Sequence, residues 1–341
     1  MTEATLTNKI RIIPRDKANW QKALSEAITD PGELFTLLNL DFSLLEAAYR
    51  TIKLFPLRVP RGFVTRMEKA NPHDPLLRQI LPLEEEFIKG EDFSDDPLQE
   101  AENNPIPGLL HKYHGRVLIT LTGSCAVHCR YCFRRNFPYE KNNPGQIGFE
   151  KILAYINADT SINEVILSGG DPLNVSDKKL AQVIMMLSTI PHLTRLRFHS
   201  RLPIVLPERI TEDLVNLFVS SRLTPVMVVH ANHANEIDST VAAAIKMMRS
   251  KNILVLNQAV LLKGVNDDVD SLVALCEKLF SVGILPYYLH LLDKVNGTTH
   301  FALSDKKAKQ IFYKLQLRLP GFLVPRLVRE IAGQPAKTLI L

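Results

Sequence analysis

The sequence predicts an α/β protein of the partial (β/α)6-barrel type, with a helical N-terminal section before the barrel and a short C-terminal extension after it. From Arg116 onward, six apolar, β-rich runs alternate with amphipathic helical segments, with a repeat of about 30 residues, the size of a βα unit. Polar residues follow each of these runs, and three cysteines follow the first run within eight residues. Six strands are too few for a closed eight-stranded barrel. A flat, doubly wound sheet is the alternative architecture.

The front section, residues 1–110, reads as short helical segments separated by proline-rich turns. Trp20 and Leu24 recur at helical spacing before the turn at 29–32. The acidic stretch Glu84–Glu86 is expected to be a solvated face. The first 17 residues contain no apolar segment of the kind that a signal peptide needs, so no signal peptide is expected.

The barrel section, residues 111–300, contains the alternating pattern, and residues 301–341 form the C-terminal extension. Because the strands alternate with helices, we expect a parallel sheet that is buried on both faces. The predicted strands are Val117–Leu121, Glu164–Leu167, Arg195–Phe198, Pro225–Val229, Ile253–Leu256 and Ile284–Leu289. The predicted helices lie near 147–158, 177–189, 208–221, 236–250 and 268–282.

Polar residues follow all six predicted strands. Ligands of parallel α/β folds bind at the carboxyl ends of the strands, where such residues would meet. A single polar residue at a strand end is most simply an ordinary loop residue, but six in succession predict a ligand site. After the cysteine loop, these groups are Ser168-Gly169-Gly170-Asp171, His199-Ser200-Arg201, His230 to His233, Asn257-Gln258, and Tyr287, Tyr288 and His290 leading to Asp293.

The cysteine loop has the spacing C-x3-C-x2-C, with Cys125, Cys129 and Cys132 as its thiols. Thiolates hold iron–sulfur clusters, and a cubane cluster normally takes four of them. Three cysteines would therefore leave one iron open to bind a small molecule. A zinc site with His128 as a fourth ligand and a set of buried free thiols are the alternative interpretations. The fourth cysteine, Cys276, lies in a predicted helix and is expected in the core.

The overall composition excludes several classes of function. The formal net charge is +5, and no basic run or aromatic-interleaved patch points to nucleic acid. No apolar run approaches the roughly 20 residues of a membrane-spanning helix. Four cysteines, three of them clustered, favour a reducing compartment over a disulfide framework, so a cytoplasmic location is expected.

The cysteine spacing resembles that of the radical S-adenosyl-L-methionine (SAM) superfamily. That resemblance implies a [4Fe-4S] cluster on the three cysteines, SAM on the open iron, and the partial barrel as the fold. Ser168-Gly169-Gly170-Asp171 resembles the superfamily motif that receives the amino group of SAM, with Asp171 in place of the commoner Glu. The resemblance places His230 and Gln258 where they would touch SAM. By itself, the glycine pair could equally be a plain βα turn.

Lys337 lies four residues from the end of the chain. A lysine in such a tail is usually solvated, although a lysine amine can also bind pyridoxal 5′-phosphate (PLP) covalently. From about residue 55 onward, the chain resembles the lysine 2,3-aminomutase family. The matching stretches are 108–113, 125–135, 167–173, 199–211, 232–236, 257–267, 286–293 and the Lys337 tail.

The family resemblance implies a role for six residues. Lys337 would be the PLP lysine, and Tyr113 and Arg116 would lie at PLP and its phosphate. Arg134 would bind the substrate carboxylate, a bidentate task suited to arginine. The substrate amine would meet Asp293 and Glu330, although lysine-specific enzymes carry Asp at the second position.

The resemblance implies an isomerase, an intramolecular aminotransferase that converts (S)-α-lysine to (R)-β-lysine with a 5′-deoxyadenosyl radical and an external electron donor. The chain ends soon after Lys337, and the pattern around Trp20 and 30–34 resembles the branch that makes β-lysine for elongation factor P, where a separate ligase attaches it. A radical SAM aminomutase acting on another amino acid, a radical SAM enzyme without PLP, and a non-catalytic iron–sulfur module are the alternatives.

Overall fold

The fold is built on one nine-stranded sheet. The structure, a computed structural model, describes residues 19–340, so the N-terminal segment of the signal-peptide prediction lies outside the described residues. The strands are β1 (Leu109–Tyr113), β2 (Arg116–Thr120), β3 (Glu164–Ser168), β4 (Arg195–Ser200), β5 (Thr224–Val229), β6 (Leu254–Leu261), β7 (Leu285–Leu291), β8 (Arg326–Arg329) and β9 (Thr338–Leu339).

The strands lie in the sheet in the order of the chain, from β1 to β9. Strands β2 to β8 pair in parallel, and β1 and β9 pair antiparallel at the two ends. Right-handed connections between parallel strands place all their helices on one face of the sheet when each strand lies next to the one before it. The other face of the sheet is then free to curve around a cavity. The doubly wound alternative is therefore wrong, because such a sheet reverses its strand order.

The six predicted parallel strands are confirmed within a few residues, and β8 is a seventh that the sequence pattern did not reveal. Its four residues follow Pro325 and are too short to show a period. The helices are α1 (Asn19–Ser25), α2 (Pro31–Leu38), α3 (Leu45–Thr51), α4 (Arg61–Val64), α5 (Gly145–Ala158), α6 (Asp177–Ser188), α7 (Leu202–Val205), α8 (Glu212–Phe218), α9 (Ser239–Arg249), α10 (Val269–Val282) and α11 (Asp305–Gln316).

Helices α5, α6, α8, α9 and α10 correspond to the five predicted helices, whereas α11 was not predicted. The segment predicted at 208–221 is divided into a 3₁₀ turn at Pro207–Arg209 and α8. Cys276 is buried in α10, as expected. Among residues 19–340, no helix is long and apolar enough to cross a membrane.

The front section shares its hydrophobic core with the sheet. Trp20 and Phe35 belong to the same buried cluster as the strand residues Val165 and Met227. Trp20 also lies against the guanidinium of Arg209, 4.4 Å from its ring centroid. Side chains that the sequence pattern singled out at 20 and 30–34 thus have structural roles, since Asp30 caps α2 as well.

The prediction that Glu84–Glu86 form a solvated face is wrong for Glu86. Glu86 is buried. Its carboxylate accepts hydrogen bonds from Nε and Nη2 of Arg130, at 2.7 and 2.6 Å, and from Nη2 of Arg135 at 2.7 Å. A buried carboxylate is tolerated when it is paired in this way. Because Arg130 lies between Cys129 and Cys132 and Arg135 lies three residues after Cys132, Glu86 connects the cysteine loop to the front section.

Candidate active site

The ends of the strands surround one cavity of about 500 Å³. Residues from β1 to the C-terminal tail line it, so a single pocket collects side chains that are more than 200 residues apart in the chain. All the residues predicted for the site line this cavity: Tyr113, Arg116, Cys125, Cys129, Cys132, Arg134, Ser168, Gly169, Gly170, Asp171, His230, Gln258, Asp293, Glu330 and Lys337.

The cysteine loop is held against the glycine pair by backbone hydrogen bonds. Gly170 N donates to Thr122 O at 2.6 Å, and Asp171 N donates to Ser124 O at 2.9 Å. A Cβ atom on Gly169 would lie 2.4 Å from Thr122 O, and one on Gly170 would lie 2.5 Å from Ser124 O. Gly169 also has a φ of +126°. The glycines are therefore needed for the close approach of the cysteine loop.

The three cysteines lie half-buried on one wall of the cavity. Burial raises the pKa of Cys125 and raises that of Cys132 to about 11. The charges of the other thiols act in the same direction but more weakly. Free thiolates are thus disfavoured here, whereas iron would stabilise them. Cys129 Sγ accepts a hydrogen bond from Arg201 Nη1 at 2.6 Å. Hydrogen bonds to sulfur are among the features that tune cluster potentials, so the donor set fits an iron–sulfur cluster.

A single-ion site receives no comparable support. Within residues 19–340, no group of three or more His, Cys, Asp or Glu side chains converges closely enough to hold one metal ion. His128, the fourth ligand of the zinc alternative, has its Nδ1 3.0 Å from the carbonyl oxygen of Pro56.

Asp171 has a carboxylate that is fully engaged. Its oxygens accept from Ser200 Oγ at 2.7 Å and from the backbone N–H groups of Leu173, Arg201 and Leu202 at 3.0, 2.8 and 3.2 Å. Burial raises its pKa to about 6 in spite of these bonds. Asp171 therefore joins the loop after β3 to the loop after β4.

Three neutral imidazoles occupy the floor of the cavity. Burial lowers the pKa of His230 and of His290 to about 3, and it lowers the pKa of His199 as well. Gln258 Nε2 lies 3.0 Å from His230 Nε2, so these two predicted SAM contacts bind each other. Uncharged rings can hydrogen-bond a ligand without adding to the positive charge of the cavity.

Alternating charges connect Arg134 to Lys337. Arg134 donates to Glu100 through Nε and Nη2 at 2.7 and 2.8 Å, and Lys112 Nζ lies 3.3 Å from Glu100 Oε1. Lys112 Nζ also donates to Glu330 at 3.2 Å, and Lys337 Nζ donates to Glu330 at 2.5 Å. The sequence did not reveal Glu100 and Lys112 as site residues. Lys112 lies within a stretch that matches the family, whereas no local signal distinguishes Glu100.

The two predicted amine-binding carboxylates differ in protonation. Burial acts to raise the pKa of Glu330, but the ammonium groups of Lys337 and Lys112 lower it to about 2. Burial and the neighbouring charge of Glu330 raise the pKa of Asp293 to about 7. An ionised Glu330 and a partly protonated Asp293 thus line the same cavity at neutral pH.

Aromatic rings and cations form the wall that β1 and β2 supply. The guanidinium of Arg116 lies 4.7 Å from the ring centroid of Tyr113, which is within the range of a cation–π contact. Burial, and then the charge of Glu330, raises the pKa of Tyr113 above its usual value, so its hydroxyl keeps its proton. A tyrosine hydroxyl and a guanidinium on the same wall are a suitable donor set for a phosphate group.

The fold and the site together have the form of an iron–sulfur enzyme built on a parallel α/β sheet. Residues 114–195 match the model of a family described as a 4Fe-4S single cluster domain. The chain belongs to the L-lysine 2,3-aminomutase family, which confirms the resemblance found in the sequence. It is 50% identical to the L-lysine 2,3-aminomutase of Haemophilus influenzae over 97% of this chain and 99% of that protein.

Other relatives agree with this assignment. The L-lysine 2,3-aminomutase of Escherichia coli K12 is 50% identical over 94% of both chains, and that of Clostridium subterminale is 33% identical over 96% of this chain and 78% of that protein. One similar solved structure is more distant. Streptococcus suis SuiB bound to S-adenosylmethionine is 14% identical and has a TM-score of 0.47, covering 64% of this chain and 51% of that chain. Nothing further follows from so weak a structural likeness.

Proposed function

We propose that this chain is a PLP- and SAM-dependent L-lysine 2,3-aminomutase that converts (S)-α-lysine to (R)-β-lysine. The observation that carries the proposal is the common cavity, in which three cysteines face a lysine, an arginine and two carboxylates. The relatives named L-lysine 2,3-aminomutase support the same reaction. When bound, the cluster with SAM would supply the deoxyadenosyl radical, and PLP would stabilise the radical while nitrogen moves between neighbouring carbons.

The residues of the chain would hold and orient the reactants. Cys125, Cys129 and Cys132 would bind iron, and Lys337 would hold PLP. Arg134 would bind the α-carboxylate of lysine, and the carboxylates of Asp293 and Glu330 would bind its distal amine. One arginine and two carboxylates complement a substrate with one carboxylate and two amines.

We further propose that Asp293, rather than Glu330, takes the proton that Lys337 must lose. An ammonium group must lose its proton before the amine can react with an aldehyde. Glu330 is a poor acceptor because its pKa is about 2, whereas Asp293, with a pKa of about 7, can hold a proton at neutral pH. Once Lys337 no longer carries a charge, Glu330 loses one of its two ammonium partners. A substrate ammonium could then replace it.

An anaerobic turnover experiment tests the reaction. The protein is reconstituted with iron, sulfide and PLP, and then given SAM, dithionite and L-lysine, with β-lysine measured by chromatography and mass spectrometry. β-Lysine should appear only when SAM and PLP are both present. The variant Lys337→Ala should keep its iron but lose both the bound pyridoxal absorbance and turnover. SAM cleavage without β-lysine would contradict the substrate assignment, and glutamate and arginine would then be tested.

The biological context is also a proposal. We infer that the product serves elongation factor P through a separate ligase, supported by the resemblance of the pattern around Trp20 and 30–34 to that branch. Transfer of β-lysine to the factor when the enzyme is coupled to the ligase would be the test. A cytoplasmic location and a cellular electron donor belong to the same proposal, because both the thiols and the cluster require reducing conditions.

A further inference from the structure

We propose that Glu100, a residue of the front section, is a positioning residue that turns the free edge of Arg134 toward the substrate carboxylate. The inference rests on the proposed function, and it gives the front section a part in substrate binding. Glu100 begins a 3₁₀ turn at Glu100–Asn103 and is only 3% exposed. Its backbone N–H donates to Asp96 Oδ1 at 3.0 Å, which holds the turn in place, and Glu100 lines the cavity.

The first support is the geometry of the guanidinium. Arg134 has five N–H donors in a fixed plane. Glu100 takes the edge formed by Nε and Nη2, at 2.7 and 2.8 Å, and Ser168 Oγ accepts from Nη1 at 3.3 Å. One N–H on Nη1 and one on Nη2 remain, and Arg134 lines the cavity. A carboxylate can accept both, which is the bidentate arrangement that arginine prefers.

The second support is the fixed orientation of the guanidinium plane. The rings of Phe133 and Phe137 lie near its central carbon, with centroids at 4.9 and 5.7 Å. Arg134 is itself buried, so it has little room for another rotamer. With Glu100 on one edge and two rings nearby, the remaining edge is preorganised, and preorganisation lowers the entropy that binding must overcome.

The third support is the charge balance. Burial opposes ionisation of Glu100, but Arg134 and Lys112 lower its pKa, so the carboxylate stays ionised. Glu100 is shared between these two cations, because Lys112 Nζ lies 3.3 Å away. Lys112 is in turn shared with Glu330, and Glu330 with Lys337, so these five groups together keep one positive charge while Lys337 is protonated. A substrate carboxylate would neutralise that charge.

Three variants test the role. Glu100→Gln keeps the size of the side chain but removes its charge, and Glu100→Asp keeps the charge but shortens the reach. Glu102→Gln is the matched control, because Glu102 lies exposed in the same 3₁₀ turn. Each is reconstituted, and its iron, bound PLP, kcat, and KM values for L-lysine and SAM are measured against the unmodified enzyme.

For Glu100→Gln, the KM for L-lysine should rise by about tenfold, the effect expected from weakening one charge-assisted hydrogen bond. The KM for SAM, the iron and PLP contents, and kcat should change less than twofold, and Glu102→Gln should match the unmodified enzyme. A merely structural role would raise both KM values together, and that result would overturn the proposal.

A change of less than fivefold in the KM of Glu100→Gln for L-lysine would also overturn the proposed positioning role. If Glu100→Gln fails to fold, because a buried ion pair has lost one partner, the same comparison and limits apply to Glu100→Asp. A complete lack of lysine turnover in the unmodified enzyme would count against the proposed function. Turnover with an unchanged lysine KM in the variants would count against Glu100 alone.

Discussion

Replacing Gly170 by alanine should displace the cysteine loop. A Cβ atom at this position would lie 2.5 Å from Ser124 O and 2.7 Å from both the carbonyl carbon and oxygen of Gly123. All three are backbone atoms, so no side chain can rotate away to make room. The two loop backbones must separate instead, and two backbone hydrogen bonds, from Gly170 to Thr122 and from Asp171 to Ser124, would weaken.

The expected loss of stability follows from these two effects. Overpacking a tight site costs about 1–3 kcal/mol, and each weakened hydrogen bond adds up to about 1 kcal/mol. Gly170→Ala should therefore lower the free energy of unfolding by about 1–5 kcal/mol. Gly169→Ala should lose at least as much, because its Cβ would lie 2.4 Å from Thr122 O and its φ is +126°.

Urea unfolding of the cluster-free protein, analysed by linear extrapolation, measures this loss. Gly62→Ala is the control. Gly62 lies in α4, and the nearest atom to its added Cβ would be a carboxylate oxygen at the flexible end of Glu208, 3.8 Å away. This variant should gain about 0.5–1 kcal/mol, because alanine favours a helix. Reconstituted Gly170→Ala should also retain less iron, since Cys125 follows the displaced Ser124. If the free energy of unfolding of Gly170→Ala lay within about 0.5 kcal/mol of that of the unmodified protein, and the variant kept its full iron content, the close-approach explanation would be refuted.

Two further predictions concern the thiols and the cavity carboxylates. Cys129→Ala should abolish iron retention on reconstitution, whereas Cys276→Ala, buried in α10, should keep it; loss of iron from both would contradict the assignment. The pKa of Asp293 is raised from 3.8 to about 7 by burial and by Glu330, so the folded state binds the extra proton and the protein loses stability as pH rises through this window. Asp293→Asn has no proton to lose, and its stability relative to the unmodified protein should increase from about pH 4 to 7 and then level off; a constant difference in unfolding free energy would argue otherwise.

Local sequence patterns were sufficient for six of the seven parallel strands and for the cysteine loop. Strand runs, helix periods and the C-x3-C-x2-C spacing each lie within a short stretch of chain, so they could be read without knowing what packs against them. Lys337 and Arg134 were different, because only the family resemblance separated them from ordinary charged residues. Strand β8 escaped because four residues next to a proline carry no usable period.

The sequence by itself determined the fold class, which polar residues follow each predicted strand, and the kind of cofactors to expect. Tertiary structure decided which charges meet. Lys112 and Glu330 are 218 residues apart, and Arg134 and Glu100 come from different sections of the chain. It also decided that the glycine pair accommodates the cysteine loop and that Glu86 is buried. Burial and long-range pairing depend on the assembled fold, because a charged residue in a local pattern looks the same whether water or another side chain will be its partner.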